Sequence, residues 1–175
     1  SYKLDFEPIF KKFVDINKMV VGFLLSNDGR AVIAFINEDS NDSDKFVITT
    51  FPVVNPPDFQ VDKVAFHSSD LFAAASDEDI QVYIFQDGQY NHILSLHHEN
   101  NSIIFLPKLL LAVASKRSIT FFTLSSQEFT KLMSIQSTHI TAMSYINKSL
   151  IVSTKHVLFR LYLRKEMFPL PLPVD

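Results

Sequence analysis

The polar residues of this chain gather in short turns, and three groups of them could do chemistry. His92, His97 and His98 carry imidazoles of the kind that ligate zinc. Adjacent histidines in a loop point in different directions, and no third ligand stands at a usual spacing, so ordinary turn residues are expected. The run "DSNDSD" (39–44) sets Asp39, Asn41 and Ser43 at alternating positions, as a calcium loop does. Such a loop needs Gly sixth and Glu twelfth, and Asp44 and Thr50 stand there instead. A solvated loop is the expectation. The third group is spread over turns of opposite charge. Asp77, Glu78 and Asp79 occupy one; Lys116 and Arg117 occupy a second; Lys155 and His156 occupy a third, with His98 and His139 in loops nearby. Opposed charges on neighbouring turns either are simply solvated or recognise a partner of matching charge. These nine residues are the candidate partner-binding set.

No catalytic, metal-ligating or cofactor-binding residue is assigned beside them. Glycine stands only at 22, 29 and 88, too sparse for a phosphate loop or a dinucleotide fingerprint. There is no G-x-S-x-G and no cysteine nucleophile. The reading is that the chain is not an enzyme and carries no cofactor.

Bulk composition sets the frame for these turns. The 175 residues are enough for one domain with a substantial core. Apolar residues make up 47%, charged residues 20%, and the net charge is −3. That balance gives no general pull toward nucleic acid or anionic membrane. The absence of Cys excludes disulfides and thiolate metal sites and fits an intracellular protein, cytoplasmic or nuclear. The longest apolar stretch, "SIIFLPKLLLAVAS", is broken by Pro107 and Lys108 and is too short to cross a bilayer. The start, "SYKLDFEPIFKKF", lacks the basic-then-apolar order of a signal peptide and lacks Met, as in a processed chain or one cut from something longer.

The elements that must hold the turns repeat. "LFAAASDEDIQVYIF" (71–85) overlies "LLLAVASKRSITFFT" (110–124) at a shift of 39 residues. Ala75 meets Ala114, Ser76 meets Ser115 and Ile80 meets Ile119. The register runs through four short alternating segments: 61–68 onto 100–107, 71–76 onto 110–115, 80–85 onto 119–124 and 91–96 onto 130–135. A further step of 40 takes Leu110 to Leu150 and Phe122 to Tyr162, after which the chain enters the proline-rich "MFPLPLPVD". Residues 18–54 form a looser copy, with an "NDG" hairpin turn at 27–29 and a break at "NPP" (55–57). Ahead of it, a strand and then a short helix are expected within 1–17. Seventeen Phe, no Trp and only three Gly favour pleated, half-buried strands. Short alternating segments at a period near forty match a β-propeller blade better than a helix pair.

The chain resembles the WD-repeat β-propeller family in period and pattern over residues 18–165. "AAASDEDIQVYIF" is similar to that family's strand, tight turn and aromatic-ended strand. "LSLHHENNSIIFLP" is similar to its loop histidine followed by an innermost strand. The resemblance implies an all-β fold: a partial or degenerate propeller of about four four-stranded blades. The units are 18–55, 56–99, 100–138 and 139–175, the last with a Pro-rich edge. In the family a loop His, a strand Ser/Thr, a turn Asp and a Trp form a hydrogen-bonded tetrad. Tyr83, Phe122 and Tyr162 stand at the Trp position, His98 and His139 at the histidine, and Asp77, Lys116 and His156 at the turn aspartate. No unit keeps all four members, so apolar packing is expected to hold the blades. Losing several buried polar partners together is tolerable, whereas losing one strands the others.

Four units fall short of the family's larger rings, which commonly have about seven blades. A partial ring leaves strand edges open, so other protein subunits that complete the ring or pair with an edge are expected partners. The expected role is a non-enzymatic interaction scaffold within a multiprotein complex. The alternative is a non-catalytic subunit that helps an RNA-processing or RNA-modifying complex grip RNA. Arg160, Arg164 and Lys165 could serve that purpose, but a strand with one wet face explains "LFRLYLRK" better, and it does not match the paired-arginine motif of lipid-binding propellers.

Overall fold

Period-two alternation folds here into antiparallel meanders. The computed structural model describes residues 7–8, 14–16, 19–25, 30–39, 41–125, 127–137 and 139–162. Every regular element among them is a strand, so the fold is all-β. The short helix expected within 1–17, the "NDG" turn, Arg164, Lys165 and the proline-rich end lie outside the described residues; β1 (Glu7–Pro8) and β2 (Val14–Ile16) are strands. Among the described residues no helix is long and apolar enough to cross a membrane. The chain groups into two compact units, residues 1–74 with 81–93, and residues 75–80 with 94–175.

In the first, β3 (Met19–Leu25), β4 (Ala31–Asp39) and β5 (Asp42–Val54) form a meander. The acidic run is mostly strand rather than loop: Asp42 already pairs with Asp39, and its carboxylate accepts a bond from the Asp44 amide at 3.1 Å. β6 (Lys63–Ser68), β7 (Leu71–Ala75), β8 (Asp79–Gln86) and β9 (Gln89–His97) follow in consecutive order. β5 runs parallel to β9 through Val53–Tyr90 and Val54–Asn91, which joins the two meanders into one sheet.

The second unit contains a four-stranded meander of β10 (Ser102–Leu106), β11 (Leu110–Ala114), β12 (Ser118–Leu124) and β13 (Phe129–Gln136). A three-stranded one follows: β14 (Ile140–Ile146), β15 (Ser149–Thr154) and β16 (Leu158–Tyr162). β12 and β13 slip by one residue at Phe121/Phe122, a β-bulge.

The small-residue strands explain their composition. All five residues of β7 and all five of β11 are buried, so both faces are covered. Strands of that kind read as unbroken apolar runs. Phe72 and Ala74 pack with Ile33, Phe35, Tyr83 and Tyr90 in the first core. Ala112 and Ala114 pack with Leu106, Phe121, Ile140 and Val152 in the second. Ala112 pairs with Ile104 on one side and Phe121 on the other and has no exposed surface. Adding methylenes there must displace neighbours. Ala112→Leu is expected to lower unfolding stability by about 1–3 kcal/mol, read as a lower urea midpoint at unchanged slope.

The hairpins show where backbone geometry overrides side-chain preference. Asp87 and Gly88 both have positive φ, the pattern of a type I′ turn in the β8–β9 hairpin. Lys108 and Leu109 (φ 66° and 57°) do the same between β10 and β11, as do Asn147 and Lys148 (φ 51° and 63°) between β14 and β15. A Leu in the left-handed region costs roughly 1–2 kcal/mol. The two hairpins recur at 39 residues rather than 40. This corrects the sequence alignment of the last copy by one position at this hairpin.

Candidate partner-docking cavity

The charged turns are built by a hydroxyl. Ser76 donates its amide to the Asp79 carbonyl at 2.9 Å, while its Oγ accepts the amides of Glu78 (3.4 Å) and Asp79 (3.2 Å). Ser115 donates its amide to the Ser118 carbonyl at 2.8 Å and shares a hydroxyl bond with Ser118 at 2.9 Å. Thr154 donates its amide to the Val157 carbonyl at 2.8 Å, and its Oγ1 accepts the amides of His156 (3.4 Å) and Val157 (3.1 Å). Three turns spaced 39 apart therefore begin on a hydroxyl residue, the local chemistry that Ser and Thr favour in turns. The alignment of Ser76 with Ser115 was visible in the sequence; the role of the hydroxyl was not drawn from it. The register also places Lys155, not His156, where Asp77 stands in the first copy.

The next loop docks on these turns through its backbone. His98 donates its amide to the Glu78 carbonyl at 2.8 Å, and Asn100 to the Asp77 carbonyl at 2.9 Å. Ser137 donates to the Arg117 carbonyl at 2.7 Å, repeating the His98–Glu78 bond 39 residues on. Ser137 rather than His139 is thus the backbone counterpart of His98. The His98 ring meets Phe122 edge-on, with centroids 5.6 Å apart, and its Nδ1 lies 2.7 Å from the Glu99 carbonyl. Ring packing stands where a side-chain hydrogen-bond network was absent from the sequence.

Asn101 closes the site. Its amide group donates to the Ile140 carbonyl at 2.6 Å, and its backbone amide donates to Ala114 at 2.8 Å. The loop after β9 is thereby fixed to the start of β14. A cavity of about 650 Å³ opens here, lined among others by Asp77, Glu78, Glu99, Lys116 and His139. Three carboxylates face one lysine. The buried Oδ1 atoms of Asn100 and Asn101 have no hydrogen-bond partner among the described residues. Their Nδ2 groups donate to the His98 and Ile140 carbonyls, which pins both amides with Oδ1 as the unmet acceptor. Leaving such a group unpaired costs about 1–3 kcal/mol.

Of the nine candidate residues, Asp77, Glu78, Lys116 and His139 come together at this cavity. Asp79, His98 and Arg117 belong to the same turns and loop. Lys155 and His156 sit exposed on a separate turn. Glu99, Asn100 and Asn101 were missed, since only folding brings them beside Lys116. Among the described residues no group of three His, Asp or Glu side chains is placed to hold a metal. His92 lies 5.5 Å from the Tyr83 ring, and His97 Nδ1 lies 2.9 Å from an Asp79 carboxylate oxygen.

That Asp79 contact, first by hydrogen bond and then by charge, raises the His97 pKa above its ordinary value of 6.5. A raised folded-state pKa adds stability below the unfolded value, and this stability is lost as pH rises through the folded one. In an NMR pH titration His97 is expected to titrate above 6.5, and Asp79→Asn to bring it back down. Unchanged titration in that variant would remove the assigned cause.

No protein-family model matches the chain, and no curated protein sequence matches it. Solved structures do. A protein of Bacteroides fragilis described as a candidate 6-phosphogluconolactonase aligns with a TM-score of 0.61 at 14% identity, over 90% of this chain and 51% of that one. The computationally designed Ika4 protein aligns with a TM-score of 0.53 at 12% identity, over 90% of this chain and 92% of that one. U3-55K, which is WD40-like, aligns with a TM-score of 0.52 at 11% identity, over 92% of this chain and 53% of that one. The chain spans about half the length of the Bacteroides protein and of U3-55K. The expectation that the chain is not an enzyme is corrected by the first of these: the fold it shares is found in a protein described as a candidate lactonase. Likeness at such identity shows the fold alone, and it places the chain among β-rich structures.

Proposed function

We propose that the chain is a degenerate WD-type β-propeller segment that acts as an interaction scaffold in a protein complex. Its docking centre is the cavity between the 77–79 and 116–118 turns. The observation that carries this reading is the cavity lining: the three acidic side chains of Asp77, Glu78 and Glu99 against a single lysine, Lys116. Such a lining favours positive charge, as a basic segment of another protein subunit supplies. The neighbouring units, 18–55, 56–99, 100–138 and 139–175, serve as blades. β13 and β16 bear no further strand in their sheets among the described residues, and a partner chain or further units would cover those edges. Reversing Asp77 and Glu78 to Lys is expected to abolish partner capture, while reversing Lys155 and His156 to Glu leaves it intact. Loss through both reversals alike, or through neither, would refute the assignment.

A further inference from the structure

A second cavity, about 260 Å³, lies in the first unit and differs in chemistry from the charged one. Its walls are rings from four strands. Phe35 on β4 meets Phe51 on β5 at 75° with centroids 5.7 Å apart. Phe51 meets Phe85 on β8 at 76° and 5.0 Å, and Phe85 meets Tyr90 on β9 at 60° and 5.0 Å. Successive rings are steeply inclined to one another rather than stacked; Phe35 and Tyr90 are buried at the base, and Phe51 and Phe85 are half-buried. The fold brings them together by two pairings: Phe35 stands opposite Thr49 in the β4–β5 ladder, and the parallel β5–β9 contact carries Tyr90 beside Val53. At the rim is Asp70, exposed and without a hydrogen bond or ion pair from its carboxylate among the described residues. The Tyr90 hydroxyl is already donated to the Ser69 carbonyl.

We propose that this pocket binds an alkylated ammonium group, such as a methylated lysine side chain or a choline-type headgroup. Ring faces carry negative quadrupole density that attracts a cation, and the attraction grows when the cation is poorly hydrated. Asp70 adds a full negative charge at the rim. A plain ammonium needs several hydrogen-bond acceptors to replace its water, and the acceptors here are Asp70, the Thr49 hydroxyl and the Ser69–Tyr90 pair already bonded to each other. Methyl groups remove that need and fill apolar space instead. The pocket shares no residue with the charged turns, so the inference stands or falls independently of the docking cavity.

The test is an NMR titration of the ring resonances of Phe85 and Tyr90 with amides of trimethyl-lysine, lysine and arginine, with choline, and with the neutral carbon isostere of trimethyl-lysine. Saturable shifts are expected from trimethyl-lysine or choline, the tighter of the two identifying the source. The neutral isostere is expected to bind roughly tenfold more weakly. Asp70→Asn, an exposed change that leaves the rings in place, is expected to weaken the cation about threefold and the isostere not at all. The proposal is overturned if the neutral isostere binds equally well, if unmodified lysine or arginine binds more tightly, or if no alkylammonium saturates by about 10 mM.

Discussion

Phe72→Ala is expected to remove about 3–5 kcal/mol of unfolding stability, a large share of the roughly 5–15 kcal/mol that a folded domain holds. Phe72 has no exposed surface. It stacks on Tyr83 at 5.0 Å with the rings 10° from parallel, meets Tyr90 at 5.2 Å and 69°, and lies 5.5 Å from Phe66. Each such pair contributes about 0.5–1.5 kcal/mol beyond the area buried. The two tyrosines are held in turn: Tyr83 donates to the Asn55 carbonyl at 2.8 Å, and Tyr90 to the Ser69 carbonyl. Burial, and then the charges of Asp58 and Asp70 respectively, push both hydroxyls above the ordinary tyrosine range, so they remain donors at any physiological pH. Truncating Phe72 leaves a cavity between two rings that are tied down and cannot collapse into it. Phe72→Leu keeps most of the volume and is expected to cost far less, about 1–2 kcal/mol. Chemical denaturation of both variants decides it. A loss below about 1 kcal/mol for Phe72→Ala would mean that aromatic packing is not what holds this unit.

Much of the strand pattern was legible in the sequence because burial imposes it locally. "LFAAA" and "LLAVA" announce strands covered on both faces, and β7 and β11 are buried at every position. The β-branched and aromatic residues of "IQVYIF" and "ITFFTL" mark β8 and β12 as strands. What stayed hidden depends on contacts between distant residues. Asn101 reaches the Ile140 carbonyl across 39 positions, and nothing in either residue's neighbourhood signals it. The aromatic pocket needs the parallel β5–β9 pairing, and Phe35, Phe51 and Phe85 read in sequence only as good strand formers. The one-residue drift in the last copy has a local cause. Three residues separate the paired Leu106 and Leu110, but two separate Ile146 and Ser149. A shorter hairpin shifts every later position by one, and alignment by residue type alone does not show where the shift falls.

The claim that the charged cavity is a docking centre predicts an effect in binding of the same order as that of Phe72→Ala in folding. Asp77 and Glu78 are exposed on a turn where the Ser76 hydroxyl accepts the Glu78 and Asp79 amides, and reversing them to Lys keeps those backbone donors. The reversal puts positive charge beside Lys116 and against an incoming basic segment. Truncating close charge pairs at interfaces costs about 2–5 kcal/mol, and reversal adds repulsion, so affinity is expected to fall by more than a hundredfold. Lys155 and His156 lie on a turn of the same build outside the cavity, which makes them a control matched in exposure. The decisive measurement is the affinity of a captured partner for three proteins: the parent chain, Asp77→Lys/Glu78→Lys, and Lys155→Glu/His156→Glu. The account predicts a loss beyond a hundredfold for the first reversal and a change within about threefold for the second, with circular dichroism unchanged in both. Equal affinities across all three proteins would contradict it.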